Sequence, residues 1–117
     1  MQNCDLVISR SGAGTINELI QTGKPSILIP YPNSKNNHQE KNAMILTSIG
    51  GAILINQNKL SKIFFEETLK GIFKFTLKKG KPKYEILDLM KKNMKNLNSL
   101  KSTNQIKKII NYFLKEF

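Results

Sequence analysis

The residues best suited to chemistry lie in SRSGAGTINE, residues 9 to 18. This stretch places a glycine-containing turn after a short apolar run and a carboxylate one helical turn into the segment that follows. The run Asp5-Leu6-Val7-Ile8 has the β-branched character of a strand. Gly12 and Gly14 free the backbone to turn sharply and to approach a ligand with no Cβ in the way. A helix is expected to open near Thr15. Its first amides lack intrahelical partners and carry the positive end of the helix dipole, so a phosphate can sit there, with the Thr15 hydroxyl as a further donor. Glu18 follows Thr15 by three positions and shares its helix face. An ionised carboxylate only accepts hydrogen bonds, which suits the paired hydroxyls of a ribose. The chemistry indicated is the holding of a nucleoside diphosphate.

A second group begins in the loop YPNSKNN, residues 31 to 37, where His38 and Gln39 open another helical segment. Beside a diphosphate loop, an imidazole and an amide offer donors and acceptors for hydroxyl groups. Cys4 is the sole cysteine, so no internal disulfide framework is possible, and it reads as a small core residue next to the first strand. Neither a metal cluster nor a cysteine nucleophile is indicated, and no cofactor is expected.

Both groups need elements to position them. Residues 5–9, 26–30 and 52–55 (DLVIS, SILIP, AILI) are short, apolar and non-alternating, as expected of strands buried on both faces of a parallel sheet. A helix is predicted over 15–21, stopping at Gly23 with Pro25 beyond it, and another over 38–48, ending at Gly50-Gly51. The result is an α/β fold with a βαβαβ unit over residues 1–56. Ligands of such sheets bind at the carboxyl ends of the strands, where loops 10–14 and 31–37 fall. Residues 57–117 read as a helical tail. Ser61 is placed to cap a helix over 62–74, Gly80 and Pro82 punctuate the chain, and a second helix is expected over 83–97 with Ile86, Leu87, Leu89 and Met90 as apolar residues. A third, capped by Ser102 or Thr103 and covering 104–116, carries the stripe Ile106, Ile109, Ile110, Phe113, Leu114.

The 117 residues carry a formal charge of +11. Residues 1–56 hold four basic side chains against three acidic ones, so the remainder carries +10. Such a surface could meet nucleic acid or an anionic membrane, although lysines this widely spread read first as a solvated helix face. The amino terminus has no basic segment followed by a long apolar run, and no stretch approaches the length of a membrane span. The chain is expected in the cytoplasm or peripheral to a membrane.

SRSGAGTINEL, GKPSILIPYP and NNHQEKNA together resemble the donor-nucleotide half of the bacterial N-acetylglucosaminyltransferases that make lipid II from lipid I in peptidoglycan synthesis. Related glycolipid synthases share the Gly-x-Gly-Thr and Glu elements but differ at the HQxxNA position. The resemblance is strong over residues 4–55 and weak beyond. It implies a partial Rossmann-like donor domain of a GT-B glycosyltransferase of the family 28 type. It also implies that Ser11, Gly12, Ala13, Gly14 and Thr15 face the phosphates of UDP-N-acetylglucosamine, that Glu18 binds the ribose diol, and that Gln39 with His38 beside it reaches the sugar hydroxyls. Arg10 either orients the loop or faces phosphate. The implied reaction is an inverting transfer in which an acceptor hydroxyl attacks the anomeric carbon as UDP departs, without a required metal.

By the same resemblance, a complete enzyme has an amino-terminal acceptor domain and the opening donor-domain strands ahead of the first strand here. Those parts would supply the contact with lipid I, the general base and the patch that meets the anionic cytoplasmic face of the inner membrane. No residue here convincingly replaces the base, so no catalytic residue is assigned, and the isolated chain is expected to be inactive. One alternative is a catalytic subunit of a split glycosyltransferase that needs an acceptor-binding partner. Another is a non-enzymatic basic module, which leaves Glu18, His38 and Gln39 without work; a nucleic-acid partner is therefore not expected.

Overall fold

The computed structural model describes residues 4–100. The predicted helix over 104–116 lies outside the described residues, as do its cap and apolar stripe. Within them, β1 (Val7–Ser9), α1 (Ala13–Thr22), β2 (Ser26–Leu28), α2 (His38–Thr47) and β3 (Ala52–Leu54) alternate as expected. The strands are parallel and lie in sequence order, with Ile8 beside Ile27 and Ile27 beside Ile53. All three residues of β2 are buried, and its neighbours Ile27 and Leu28 enter different hydrophobic clusters. Successive side chains on a strand point to opposite faces, so a continuous apolar run requires cover on both.

On one face, Ile16, Leu19 and Ile20 of α1 and Ala43, Ile45 and Leu46 of α2 pack on Leu28 and Ala52. On the other, α3 (Lys62–Ile72) brings Phe65, Leu69 and Ile72 against Ile27, Ile53 and Ile55. The last described helix, α4 (Glu85–Leu100), places Leu87 and Met90 in this second cluster and Met94 and Leu97 in the first. It thereby ties the two layers together. Lys91 of α4 also donates to the Asp5 carboxylate at 2.8 Å. That hydrogen bond, and the charge behind it, lower the Asp5 carboxyl below its ordinary range.

Local chemistry sets the element ends. Gly23 closes α1 in the left-handed conformation (φ 67°), which costs a glycine nothing, and the Lys24 amide returns to the Leu19 carbonyl. Ser61 caps α3 by accepting from the Phe64 amide at 3.1 Å.

Several expectations need correction. α1 opens at Ala13 rather than near Thr15, because Gly12 takes the cap position. A tight turn over Lys35–Asn37, with Asn36 and Asn37 in the left-handed region, precedes α2. The tail is not wholly helical: α3 ends at Ile72, and β4 (Thr76–Lys78) pairs antiparallel with β5 (Lys81–Lys83). Lys79 and Gly80, with φ 52° and 77°, form the two-residue turn between them, the signature of a tight hairpin. Cys4 is half-buried rather than a core residue.

Candidate functional site

The loop leaving β1 meets the first turn of α1 at the carboxyl end of the sheet. Gly12 is extended (φ −65°, ψ 159°), no side chain caps the helix, and the first intrahelical bond runs from the Ile16 amide to the Gly12 carbonyl at 3.0 Å. The amides of Ala13, Gly14 and Thr15 therefore precede any intrahelical partner, and no acidic residue occupies the first turn. A Cβ built on Gly12 or Gly14 meets nothing within 4 Å, and neither residue has a left-handed φ. The glycines are thus not demanded by the backbone turn; they leave open space over the helix start.

Ser11 holds this loop in place. Its side chain is fully buried and its hydroxyl donates to the Gln39 carbonyl at 2.6 Å, while its own carbonyl accepts from the Asn42 carboxamide at 2.9 Å. The Ser11 hydroxyl is therefore committed to α2 rather than open to a ligand. Asn42 is 2 % exposed, and its Oδ1 has no hydrogen-bond partner among the described residues. Leaving a buried amide oxygen unpaired costs stability.

Gln39 is similarly held. Its amide donates to the Ser34 hydroxyl at 3.3 Å, and its Oε1 accepts from the Tyr31 amide at 2.8 Å. The Nε2 end is what remains to meet a ligand. His38, half-buried, is the first residue of α2 and follows Asn36 and Asn37, both left-handed (φ 55° and 57°). Arg10 donates from Nη1 to the carbonyls of Ile29 and Pro30, each at 3.3 Å, and its guanidinium lies 5.4 Å from the centre of the Tyr31 ring. Those contacts tie Arg10 to the loop after β2. Glu18, one turn into α1, is exposed, with its carboxylate unpartnered among the described residues.

The structure therefore brings the 11–15 loop and the start of α2 together through Ser11. Sequence reasoning missed Asn42, although a signal was present: it stands three positions after Gln39, beside Ala43 and Leu46 on the buried side of α2. Among the described residues, no group of three or more His, Cys, Asp or Glu is placed to hold a metal ion. No helix among them is long and apolar enough to cross a membrane.

Comparison with known proteins adds the following. Residues 1–111 match the model of the glycosyltransferase family 28 C-terminal domain. Over all 117 residues the chain is 87 % identical to the UDP-N-acetylglucosamine--N-acetylmuramyl-(pentapeptide) pyrophosphoryl-undecaprenol N-acetylglucosamine transferase of Prochlorococcus marinus subsp. pastoris strain MED4, and covers 32 % of it. It is 84 % identical to the protein of the same name from Prochlorococcus marinus strain MIT 9515, again covering 32 %. The chain thus spans about a third of the length of the curated relatives it matches. Among solved structures it is similar to Acinetobacter baumannii MurG, with a TM-score of 0.67 and 21 % identity, over 96 % of this chain and 30 % of that one. That likeness supports the partial Rossmann-like reading of the fold.

Proposed function

The chain belongs to the family of glycosyltransferase family 28 C-terminal domains, and from that premise we propose that it forms the UDP-N-acetylglucosamine-binding part of a transferase that glycosylates a lipid-linked muramyl acceptor, lipid I. The observation that carries the proposal is the uncapped start of α1, open above Gly12 and Gly14 and bound through Ser11 to the helix that bears Gln39. In this reading the amides of Ala13, Gly14 and Thr15 and the Thr15 hydroxyl receive the diphosphate. Oriented amides and a helix dipole stabilise negative charge without reorganising, so they serve the UDP leaving group as the glycosidic bond breaks.

Glu18 accepts from the ribose diol. Gln39 donates through Nε2 to a sugar hydroxyl, with His38 beside it. The transfer inverts the anomeric centre, because an acceptor hydroxyl attacks opposite the departing UDP. We assign acceptor binding and the general base to the part of the relatives that this chain does not cover, and place the work at the cytoplasmic face of the inner membrane, where a lipid-linked acceptor is reached. On this reading the chain alone transfers no sugar.

Calorimetric titration of the chain with UDP-N-acetylglucosamine, UDP and ADP tests the proposal. Binding of both uridine ligands in preference to ADP is expected. Equal binding of all three would point to a generic anion surface and against a donor site.

A further inference from the structure

The β4–β5 hairpin carries a different kind of side chain on each of its two faces. Leu77 stands opposite Pro82, while Lys78 stands opposite Lys81 and Thr76 opposite Lys83. Successive residues of a strand point to opposite sides, so Leu77 and Pro82 share one face and the three lysines share the other. Phe75 extends the apolar face, its ring lying 5.7 Å from that of Tyr84. Most of this face is uncovered: Leu77 is 68 % exposed, Phe75 is 53 % exposed, and Pro82 is exposed as well. A groove of about 280 Å³ continues the patch from Phe75 to Ile86 at the start of α4.

The charge is as one-sided as the apolar surface. Lys74, Lys78, Lys79, Lys81 and Lys83 fall in a stretch without an acid, and Glu85 is the first carboxylate beyond them. None of the five makes an ion pair among the described residues. Like charges directly opposite across a strand pair repel, so Lys78 and Lys81 work against the hairpin that they close. A negatively charged surface removes that repulsion, and an exposed apolar patch rimmed by charge marks a contact surface.

We propose that this hairpin lies on an anionic lipid surface, with Phe75, Leu77 and Pro82 in the headgroup region and the lysines reaching lipid phosphates around both edges. The hairpin is only two strands wide, and lysine stems run along apolar surface while their ammonium groups stay in water, so both faces act on one bilayer. A nucleic acid is disfavoured because the aromatic rings pack on each other, Phe73 and Phe75 both against Tyr84. That leaves aliphatic Leu77 and Ile86 where bases need flat partners. The contact is additional to the membrane patch that the resemblance assigns to sequence outside this chain, and it does not depend on the donor-site reading.

The test is sedimentation of the full 117-residue chain with vesicles of phosphatidylcholine alone and of phosphatidylcholine mixed with phosphatidylglycerol. Binding to the mixed vesicles only is expected. The chain contains no tryptophan, so the emission of Leu77→Trp reports on the hairpin alone and should move to the blue when those vesicles are added. Each lysine near an anionic surface contributes about fivefold in affinity, so Lys78→Gln with Lys81→Gln should weaken binding about 25-fold. Leu77→Gln should weaken it as well. Vesicle binding that survives both variants, an unshifted emission, or equal binding to phosphatidylcholine alone would overturn the proposal. Loss through the lysine variant with none through Leu77→Gln would identify a plain polyanion surface, for which single-stranded RNA competes, and would overturn the lipid contact too. If UDP binds nowhere while the hairpin variants lose the vesicles, the donor reading fails and the lipid contact survives.

Discussion

Two side chains carry separable parts of the proposed donor site. The Glu18 carboxylate is exposed on α1, and in the proposed reading it binds the ribose with no partner to lose in the fold. Hydrogen bonds to a charged group contribute about 1.5 to 3 kcal/mol, so Glu18→Ala should weaken UDP binding by about tenfold or more, with thermal stability unchanged. Calorimetry on the folded variant checks this, and an unchanged affinity removes Glu18 from the site. Asn42 behaves in the opposite way. Asn42→Ala strips the buried Ser11 carbonyl of its donor, which should cost about 1 to 3 kcal/mol in denaturant unfolding. UDP affinity should fall as well, because the loop that presents the Ala13–Thr15 amides is released. Full stability in that variant would show that the Ser11 clamp contributes nothing. Of the two reasons the sequence offers for Gly12 and Gly14, the sharp turn falls away, since their φ values are ordinary, and the open approach remains, since the space above them is empty.

Among the elements, the three strands were readable because each is a short apolar run, but the expected burial on both faces holds throughout only for the central β2, while β1 leaves Ile8 exposed. The hairpin was not readable, since its two short strands are lysine-rich and bury no side chain. α1 was placed two residues late because Gly14 is a poor helix former, and at a helix start the cap geometry of Gly12 outweighs that propensity. In α4, adjacency in sequence misled: Ile86 and Leu89 are exposed, while Leu87, Met90, Met94 and Leu97 form the buried stripe. β1 lies at a sheet edge, as expected from the order of the strands, and Ile8 there is 46 % exposed beside an apolar groove shared with Ile29, Leu60 and Phe65. An apolar edge strand invites pairing with another copy. Sedimentation of the chain should show concentration-dependent association that Ile8→Lys suppresses; monomers at high concentration would contradict this.

For the whole molecule, charge and shape make different claims about where a nucleotide goes. The carboxyl-terminal half carries nearly all of the excess positive charge, and the hairpin and its flanks, residues 74 to 83, hold five lysines with no acid. The proposed donor site instead sits in the near-neutral half, where direction would come from unpaired amides rather than from net charge. A diphosphate drawn by charge alone would collect on the lysines. Residue-by-residue NMR during titration with UDP-N-acetylglucosamine separates the two. The donor-site account predicts that the largest amide shifts fall on Ala13, Gly14 and Thr15, with smaller ones reaching Glu18 and Gln39. Shifts concentrated on residues 74 to 83, or no shifts around the start of α1, would contradict it.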